Sequence, residues 1–373
     1  MKSFKELGVK EHFLKALDAQ GVSKPTEIQI KSIPFLIENG TDFIGQAQTG
    51  TGKTLAFGIP ILHRVDKNIT KPQAIILGPT RELCQQIHKQ LFKLTKFNKG
   101  VFTEVLVGGE NIDAQIYALT RPTQIIVATP GRLIDILNRG AIELHDVETI
   151  ILDEADEMIS MGFKKDLETI LRKSEGYRSV WLFSATFPNN LKELIQKFVS
   201  KDVKKEIVEK EAVVNKAIAH EFVVCEKNQK LQTLIEYIKI HGQDTGIVFC
   251  RTKASTQQLA KQLKAKNFSI IEIHGDLQQR EREKALRIFK TNKAQLLITT
   301  DISARGIDID DVNFVVHYDL PDQIEYYTHR SGRTARAGKK GMSLCIVQGN
   351  QVKKIRAIES QLKIKFIRIK QNY

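Results

Sequence analysis

The stretch from Ala47 to Thr54 constrains the fold of this chain more than any other part of the sequence. It reads Ala-Gln-Thr-Gly-Thr-Gly-Lys-Thr and lies between a short apolar run and the helix-compatible Leu-Ala-Phe. It approaches the phosphate-loop pattern of Gly, four residues and Gly-Lys-Thr, although alanine stands in place of the first glycine. The stretch therefore predicts a loop that opens a helix and binds an anion. A glycine-rich turn with a chance Gly-Lys-Thr is the alternative.

The side chains and glycines of this stretch fit a nucleotide phosphate. Gly50 and Gly52 let backbone N–H groups turn inward on an anion, and the positive end of the following helix strengthens the attraction. Lys53 supplies a point charge, and Thr54 offers a hydroxyl to a magnesium ion. The residues expected around the phosphates are Gln48, Thr49, Gly50, Thr51, Gly52, Lys53 and Thr54.

The rest of the chain alternates short apolar runs with amphipathic helical segments. This alternation predicts an α/β fold with parallel sheets covered by helices on both faces, and ligands at the carboxyl ends of the strands. Residues 363–370 mix basic and apolar side chains, and we favour an edge strand over a basic arm there. The expected strands are residues 43–44, 73–78, 101–107, 124–128, 149–152, 179–183, 219–224, 245–250, 269–273, 295–299, 314–318 and 342–347.

A chain of 373 residues is too long for one ordinary core and suits two domains. Ser200–Lys216 is crowded with Lys and Glu and has little apolar periodicity, which is typical of a linker. We expect an N-terminal domain over residues 1–208, a linker over residues 209–216 and a C-terminal domain over residues 217–373. The second domain has no phosphate loop of its own.

The balance of charges points to a polyanionic partner. The 57 Lys and Arg against 43 Asp and Glu give a net charge of +14, which favours nucleic acid or an anionic membrane. No apolar run approaches the roughly 20 residues that span a bilayer, and the N-terminus lacks the apolar core of a signal peptide, so we expect a cytoplasmic protein. The four cysteines lie far apart without metal-ligand spacing, which indicates buried thiols.

A cluster of carboxylates follows the expected strand at residues 149–152. The strand runs into Asp153-Glu154-Ala155-Asp156. A carboxylate at a strand end, beside the threonine of a phosphate loop, is where such sites hold magnesium, so Asp153 is the expected metal residue. Glu154 is the expected general base that polarises the attacking water. An acidic helix N-terminus stabilised by the helix dipole is the alternative.

Together with the phosphate loop, the letters Asp-Glu-Ala-Asp resemble the signature of the DEAD-box RNA helicases. About a dozen short motifs of that family occur in order, from Phe4 to about Val347. The resemblance implies two tandem RecA-like domains, with ATP and Mg²⁺ as cofactors. Its RNA-binding positions correspond to Pro79, Thr80, Arg81, Gly108, Gly109, Thr129, Pro130, Gly131 and Arg132 in the first domain, and to Arg251, Gly275, Gln279, Arg282 and Thr300 in the second.

The resemblance also implies roles around the nucleotide. Gln29 hydrogen-bonds the adenine and Phe4 packs on it; a glutamine amide has the donor and the acceptor that adenine requires. Asp308 contributes to the ATP site. Ser184, Thr186 and Asp156 couple hydrolysis to unwinding, and His329 bridges to Asp156 across the interdomain cleft. A lone histidine is more often a structural residue, which is the alternative for His329.

Two arginines of the second domain are candidate arginine fingers. Arg333 and Arg336 lie three residues apart, on one face if the segment is helical, and such side chains stabilise charge on a γ-phosphate. The alternative is a solvated basic face. Neither domain alone has both the phosphate loop and these arginines, so we expect the cleft to close before hydrolysis.

The expected function is RNA-stimulated ATP hydrolysis that opens and closes the cleft, unwinds short RNA duplexes or remodels RNA–protein complexes. An ATP-gated RNA clamp and a DNA-directed motor are the alternatives. RNA, single-stranded or in short duplexes, is expected to be held by its backbone and 2′-hydroxyls with little sequence preference. We expect a monomer without a membrane partner. The basic core without a clear auxiliary domain resembles a bacterial or minimal-core member, and ribosome-assembly or RNA-decay proteins are the candidate protein partners.

Five residues depart from common patterns. Ser331 replaces a usual apolar residue, Ala335 a usual glycine, and Cys84 a usual alanine in an expected buried helix. Asn292 replaces a glycine after a helix, and asparagine is expected to preserve the left-handed turn. Pro60 is expected to kink or end the helix that begins at the phosphate loop.

Overall fold

The computed structural model describes residues 2–48, 50–174, 178–208, 217–304, 309, 312–335 and 339–370, apart from the side chains of Gln279 and Glu325. The chain divides into two compact units, residues 1–209 and 210–373. The expected linker at residues 209–216 lies outside the described residues. Within the described ranges, every helix is too short or too polar to cross a bilayer.

The first unit contains seven strands and nine helices among its described residues. The strands are β1 Phe43–Gln46, β2 Ala74–Leu77, β3 Thr103–Leu106, β4 Ile125–Ala128, β5 Thr149–Asp153, β6 Ser179–Ser184 and β7 Lys204–Ile207. The helices are α1 Glu11–Asp18, α2 Glu27–Glu38, α3 Lys53–Arg64, α4 Arg81–Leu94, α5 Ile112–Ala118, α6 Pro130–Asn138, α7 Ala155–Ser160, α8 Lys164–Lys173 and α9 Asn189–Phe198, with a 3₁₀ turn at Thr95–Phe97.

The second unit repeats this alternation. Its strands are β8 Ile218–Val224, β9 Gly246–Cys250, β10 Ile270–Ile273, β11 Leu296–Thr300, β12 Phe314–His317, β13 Gly341–Val347 and β14 Phe366–Arg368. Its described helices are α10 Lys230–Ile240, α11 Lys253–Lys264, α12 Gln279–Lys290, α13 Asp301–Ala304, α14 Ile324–Ser331 and α15 Val352–Leu362, with 3₁₀ turns at Lys227–Gln229 and Gly349–Gln351.

Both sheets are parallel and share one topology. The strand order is β3-β4-β2-β5-β6-β1-β7 in the first unit and β10-β11-β9-β12-β13-β8-β14 in the second. Every strand of the first order has a counterpart at the same place in the second. Central strands such as β2 and β4 are buried along their whole length, because helices cover both faces. The predicted α/β fold with two parallel sheets is therefore confirmed.

The edge strands show what apolar periodicity detects and what it misses. Strand β14 confirms the predicted edge strand near the end of the chain, where it pairs with β8. Strand β7 lies inside Ser200–Lys216, so the prediction of a linker over that whole stretch was wrong. Its sequence Lys-Lys-Glu-Ile is mostly exposed and carries no apolar pattern, but its backbone pairs with β1 in the register Phe43↔Lys204. Charged side chains are common on such edges.

Helix α3 continues through Pro60 to Arg64, so of the two expected effects of Pro60, a kink or an end of the helix, the end does not occur. A proline has no N–H to donate to the carbonyl four residues earlier, which is Ala56. The buried hydroxyl of Ser32 donates to the Ala56 carbonyl at 3.3 Å and replaces the missing bond. The other helix-end prediction is confirmed: Asn292 has φ 54°, and the Lys293 N–H donates to the Ile288 carbonyl, as in a Schellman turn.

Candidate nucleotide and nucleic-acid sites

The first unit gathers its predicted site residues at one edge of the sheet, in two adjacent groups. Strands β5, β6 and β1 are neighbours, and their carboxyl ends lead into the carboxylate cluster, Ser184–Thr186 and the phosphate loop. Strands β3, β4 and β2 are also neighbours, and they lead into Gly108–Gly109, Thr129–Arg132 and Pro79–Arg81. The order of strands thus separates candidate nucleotide residues from candidate RNA residues.

The phosphate loop has the backbone that its glycines predicted. Gly50 and Gly52 have φ angles of 79° and 88°, in the left-handed region that favours glycine. The Thr51 hydroxyl donates to the Gln48 carbonyl at 2.7 Å and closes the turn, and α3 begins at Lys53. Thr49 lies outside the described residues. The loop therefore presents the N-terminus of α3 as an anion site.

Lys53 is a buried cation in need of an anionic ligand. Its side chain is 6% exposed, and among the described residues Nζ has no hydrogen-bond partner. Its nearest carboxylate oxygen, Asp153 Oδ1, lies 4.0 Å away, beyond hydrogen-bonding distance. An unsatisfied buried ammonium is costly, so a ligand that brings negative charge to this loop is favoured.

The same place fits a magnesium ion. Asp153 is buried at the end of β5, and burial raises the pKa of its carboxyl, while Lys53 opposes the rise. Thr54 lies in the first turn of α3, only partly exposed. No group of three or more His, Cys, Asp or Glu side chains within the described ranges is arranged to hold a metal ion. A buried carboxylate and a hydroxyl beside a phosphate loop suit Mg²⁺, which uses one or two protein ligands together with phosphates and water.

Glu154 adopts a backbone conformation that is rare for a glutamate. Its φ and ψ are 51° and 50°, and it forms the N-cap of α7. Its N–H donates to Asp153 Oδ1 at 3.0 Å. A non-glycine residue in the left-handed region costs about 1–2 kcal/mol, and such strain is concentrated at functional sites. At Glu154 the chain turns away from the direction of β5. The strained backbone supports the prediction that Glu154 is a functional residue, the general base.

Asp156, Ser184 and Thr186, the three predicted coupling residues of the first unit, form one hydrogen-bonded group. The Thr186 N–H and hydroxyl both donate to Asp156 Oδ2 at 2.8 Å. The Asp156 N–H donates to Ser184 Oγ at 3.2 Å, and Ser184 Oγ donates to the Thr186 carbonyl at 2.7 Å. The carboxylate cluster is therefore tied to the loop after β6.

Gln29 is bonded to the phosphate loop itself, which the sequence did not reveal. Its Nε2 donates to the Gly52 carbonyl at 2.9 Å, and its Oε1 accepts the N–H of Thr26, the N-cap of α2. A Cβ on Gly52 would lie 2.3 Å from that Nε2, a second reason for glycine. Phe4 is buried in the apolar cluster of this unit. The adenine contacts of Gln29 and Phe4 stay predictions.

Three helices, α4, α5 and α6, begin within the candidate RNA group of the first unit. Thr80 and Asn111 cap α4 and α5 with their side chains, and Pro130 begins α6 after the N-cap Thr129. Such N-termini attract phosphates. Around Gly131, an added Cβ would meet no atom closer than 4.0 Å, so the backbone there is accessible to a close approach.

Two arginines pack around the Gly108–Gly109 turn. A Cβ on Gly109 would lie 1.8 Å from Arg81 Nη1, so the guanidinium lies directly over the turn. Arg132 donates through Nη1 to Gln115 Oε1 at 2.8 Å and through Nη2 to the Glu110 carbonyl at 3.1 Å. Burial lowers the pKa of Arg132, although the residue stays far from deprotonation. Arg132 therefore holds the segment after the turn in place, and it also belongs to the candidate RNA group.

We expect Gly109→Ala to lower RNA affinity about tenfold, a loss of about 1.4 kcal/mol, without changing ATP affinity in the absence of RNA. The new Cβ would displace Arg81, and the φ of 77° would strain any other residue. Gly140→Ala is the matched control, because it has φ 67° and no neighbour within 4 Å of the added atom. Titration with labelled RNA measures both. Equal losses in the two variants would show that backbone strain alone is responsible.

The second unit has a corresponding group at β9, β10 and β11. Three predicted RNA residues lie at the ends of these neighbouring strands: Arg251 directly after β9, Gly275 two residues after β10, and Thr300 as the last residue of β11. Arg251 is exposed, and its N–H donates to Asp319 Oδ2 at 3.1 Å. No atom lies within 4 Å of a Cβ built on Gly275. Arg282 Nη2 donates to the Ser303 carbonyl at 2.7 Å, which ties α12 to α13. Gln279 begins α12.

The candidate arginine fingers are only partly described. His329 lies in the last turn of α14, which ends at Ser331. Arg333 lies in the turn after the helix, where its N–H donates to the Arg330 carbonyl, so the helical-face spacing does not apply to it. Arg336 and Asp308 lie outside the described residues. Their roles, and that of His329, stay predictions.

Arg330 is a structural residue that the sequence reasoning missed. It is buried, pairs in bidentate fashion with Asp301 at 2.6 and 2.7 Å, and donates to the Asp319 carbonyl at 2.7 Å. It thereby joins α14, on which His329 lies, to the ends of β11 and β12. The sequence signals that could have revealed this ion pair are an aspartate after a strand end and an arginine in a later basic motif. Only the topology brings them together.

Comparisons with known proteins agree with these observations. The DEAD/DEAH box helicase model matches residues 26–194, and the helicase conserved C-terminal domain model matches residues 227–338. The ATP-dependent RNA helicase CshA of Listeria monocytogenes is 41% identical over 363 residues, 97% of this chain and 69% of that protein. The DEAD-box ATP-dependent RNA helicase CshA of Geobacillus kaustophilus is 40% identical over 370 residues, 99% of this chain and 79% of that protein. The structure of S. cerevisiae Dbp5 bound to RNA and ADP BeF3 superposes with a TM-score of 0.89 at 32% identity, covering 99% of this chain and 96% of that one.

Proposed function

Because the chain belongs to the DEAD-box family of ATP-dependent RNA helicases, we propose that RNA-stimulated ATP hydrolysis closes and opens a cleft between its two RecA-like units. This cycle unwinds short RNA duplexes or remodels RNA–protein complexes. The working domains are residues 1–208 and 217–373, joined by residues 209–216. The observation that carries the nucleotide part is the buried, unsatisfied ammonium of Lys53 at the N-terminus of α3.

The first unit supplies the residues that bind ATP and activate water. The loop from Gln48 to Thr54 holds the phosphates, with Lys53 as the cation, while Gln29 and Phe4 receive the adenine. Glu154 accepts a proton from the attacking water. When bound, a magnesium ion held through Thr54 and Asp153 would neutralise phosphate charge. The bond between Gln29 and the Gly52 carbonyl supports a link between base recognition and loop position.

The second unit supplies charge that the first lacks. Arg333 and Arg336 stabilise the transferring phosphoryl group, with Asp308 at the nucleotide, so hydrolysis requires that the cleft close. If ATP and RNA both favour the closed state, each raises the affinity of the other by the same factor. When the cleft closes, His329 bridges to Asp156, and the group of Asp156, Ser184 and Thr186 couples hydrolysis to unwinding.

RNA lies along the carboxyl ends of the outer strands in both units. The capped helix N-termini and the open backbone at Gly131 and Gly275 favour contacts to phosphates and 2′-hydroxyls, which carry little sequence information. The structural neighbour Dbp5 is bound to RNA and ADP BeF3, which supports RNA binding by this chain. Little sequence preference is therefore expected.

A strand-displacement assay tests the proposal. We expect single-stranded RNA to stimulate ATP turnover, and ATP, but not a non-hydrolysable analogue, to sustain repeated release of a short duplex. Parallel reactions with DNA of the same sequence provide the control. Turnover indifferent to RNA would contradict the coupling. Tight ATP-dependent RNA binding without strand release would favour the clamp, and equal stimulation by DNA would favour a DNA motor.

A further inference from the structure

One outward face of α4 carries an unusual combination of lysines and phenylalanines. Lys89, Phe92, Lys93 and Lys96 follow each other at helical spacing i, i+3, i+4 and i+7, and the Thr95–Phe97 turn continues the helix. Phe92 is 70% and Phe97 45% exposed. We call Lys89, Phe92, Lys93, Lys96, Phe97 and Lys99 the α4 patch.

The charged side chains of the α4 patch are all lysines. Between Glu82 and Glu104 the sequence contains no acidic residue. All four lysines of the patch are exposed, and the ion pairs of the described residues include none of them. Lys67 adds to the field, because its side chain lies 3.3 Å from a Cβ built on Gly100, next to Lys99. Such a surface attracts a polyanion.

The patch is continuous with the candidate RNA group. Helix α4 begins at Arg81, over the Gly108–Gly109 turn, and the exposed side of the helix runs through Gln85 to Lys89 and the patch. Gln85 Nε2 donates to Glu110 Oε1 at 3.3 Å, beside the same turn. A helix of 14 residues spans about 21 Å. A strand held at Arg81 therefore reaches the patch by following one helix.

We propose that the α4 patch is a second RNA-binding surface, which holds single-stranded RNA leaving the strand-end contacts of the first unit. Phe92 and Phe97 offer faces for base stacking, and the lysines neutralise backbone phosphates. Exposed aromatics between lysines are typical of sequence-tolerant single-strand binding. Lys96 already lies over the Phe97 ring at 5.3 Å, an arrangement that leaves both groups at the surface. The proposal rests on the proposed RNA-dependent function.

Two sets of substitutions in the full chain test the patch. For each variant, RNA affinity is measured with a short oligouridine, which fills only the strand-end contacts, and with an oligouridine several times longer. Phe92→Ala with Phe97→Ala is expected to weaken binding of the long strand about tenfold through lost stacking, and to leave the short strand unaffected. Lys93→Gln with Lys96→Gln and Lys99→Gln is expected to reduce the salt dependence of long-strand binding by about 2 in log–log slope.

Exposed positions of the second unit provide the controls, with substitutions of the same kinds. Ile240→Ala, at a 72% exposed side chain, and Lys353→Gln with Lys354→Gln are expected to leave both affinities unchanged. Unchanged long-strand affinity in both patch variants, or equal losses on short and long strands, would overturn the proposal. So would binding of an acidic peptide or of anionic vesicles that depends on the patch while RNA affinity does not. A wild-type protein whose turnover ignores even the short strand would instead refute the proposed function.

Discussion

Lys53→Ala is expected to slow ATP turnover by about 10²–10³-fold and to weaken ATP binding. The Lys53 ammonium is buried at the start of α3 and has no hydrogen-bond partner among the described residues, so its charge is available to the phosphates. In a site with little water, the loss of a cation that faces developing phosphate charge is costly. Single-turnover hydrolysis and titration with a fluorescent ATP analogue measure the two effects separately.

The stability of the Lys53→Ala protein checks this interpretation. Removing a buried, unsatisfied cation relieves a desolvation cost, but it also removes the positive charge that opposes the raised pKa of Asp153. Because these effects oppose each other, we expect the melting temperature to change by only a few degrees. Lys173→Ala, at an exposed position on α8, is the control and should keep full turnover. Wild-type turnover or ATP affinity in Lys53→Ala would contradict the assignment.

The strands of this fold could be predicted wherever burial imposes apolar residues. Strands β2, β4 and β5 are buried at every position, and their apolar runs located them to within a residue or two. Strand β7 escaped because its side chains face water, and its position depends on the open backbone edge of β1. When neither face of a strand is covered, pairing of its backbone does not require apolar side chains, so the sequence carries no alternating pattern.

The candidate site was predictable as a set of residues but not as a set of contacts. Glycine at position 52 followed from the phosphate-loop pattern, whereas its contact with Gln29 depends on how α2 packs beside the loop. The same holds for Arg81 over Gly109 and for Arg330 with Asp301, which lie 28 and 29 residues apart in sequence. Such pairs are joined by strand order, which motif spacing does not encode.

Glu154→Gln is expected to bind ATP with unchanged affinity and to hydrolyse it about 10²–10⁴-fold more slowly. The amide keeps the size of the carboxylate but cannot accept a proton from water. The N–H bond from residue 154 to Asp153 Oδ1 and the left-handed backbone do not depend on the carboxylate, so the loop geometry should persist. Equilibrium ATP binding and single-turnover hydrolysis in the presence of RNA measure the two expectations.

Glu154→Gly separates the chemistry of this residue from its strained backbone. With φ at 51°, glycine removes a conformational cost of about 1–2 kcal/mol, so this variant should melt at a higher temperature than Glu154→Gln. Both variants lack the carboxylate and should lose turnover alike. If the left-handed turn were what mattered, glycine would retain hydrolysis, because it adopts the same backbone more readily. Wild-type turnover in Glu154→Gln would remove the general-base role and leave the strain at this position to be explained by the packing of α7 alone.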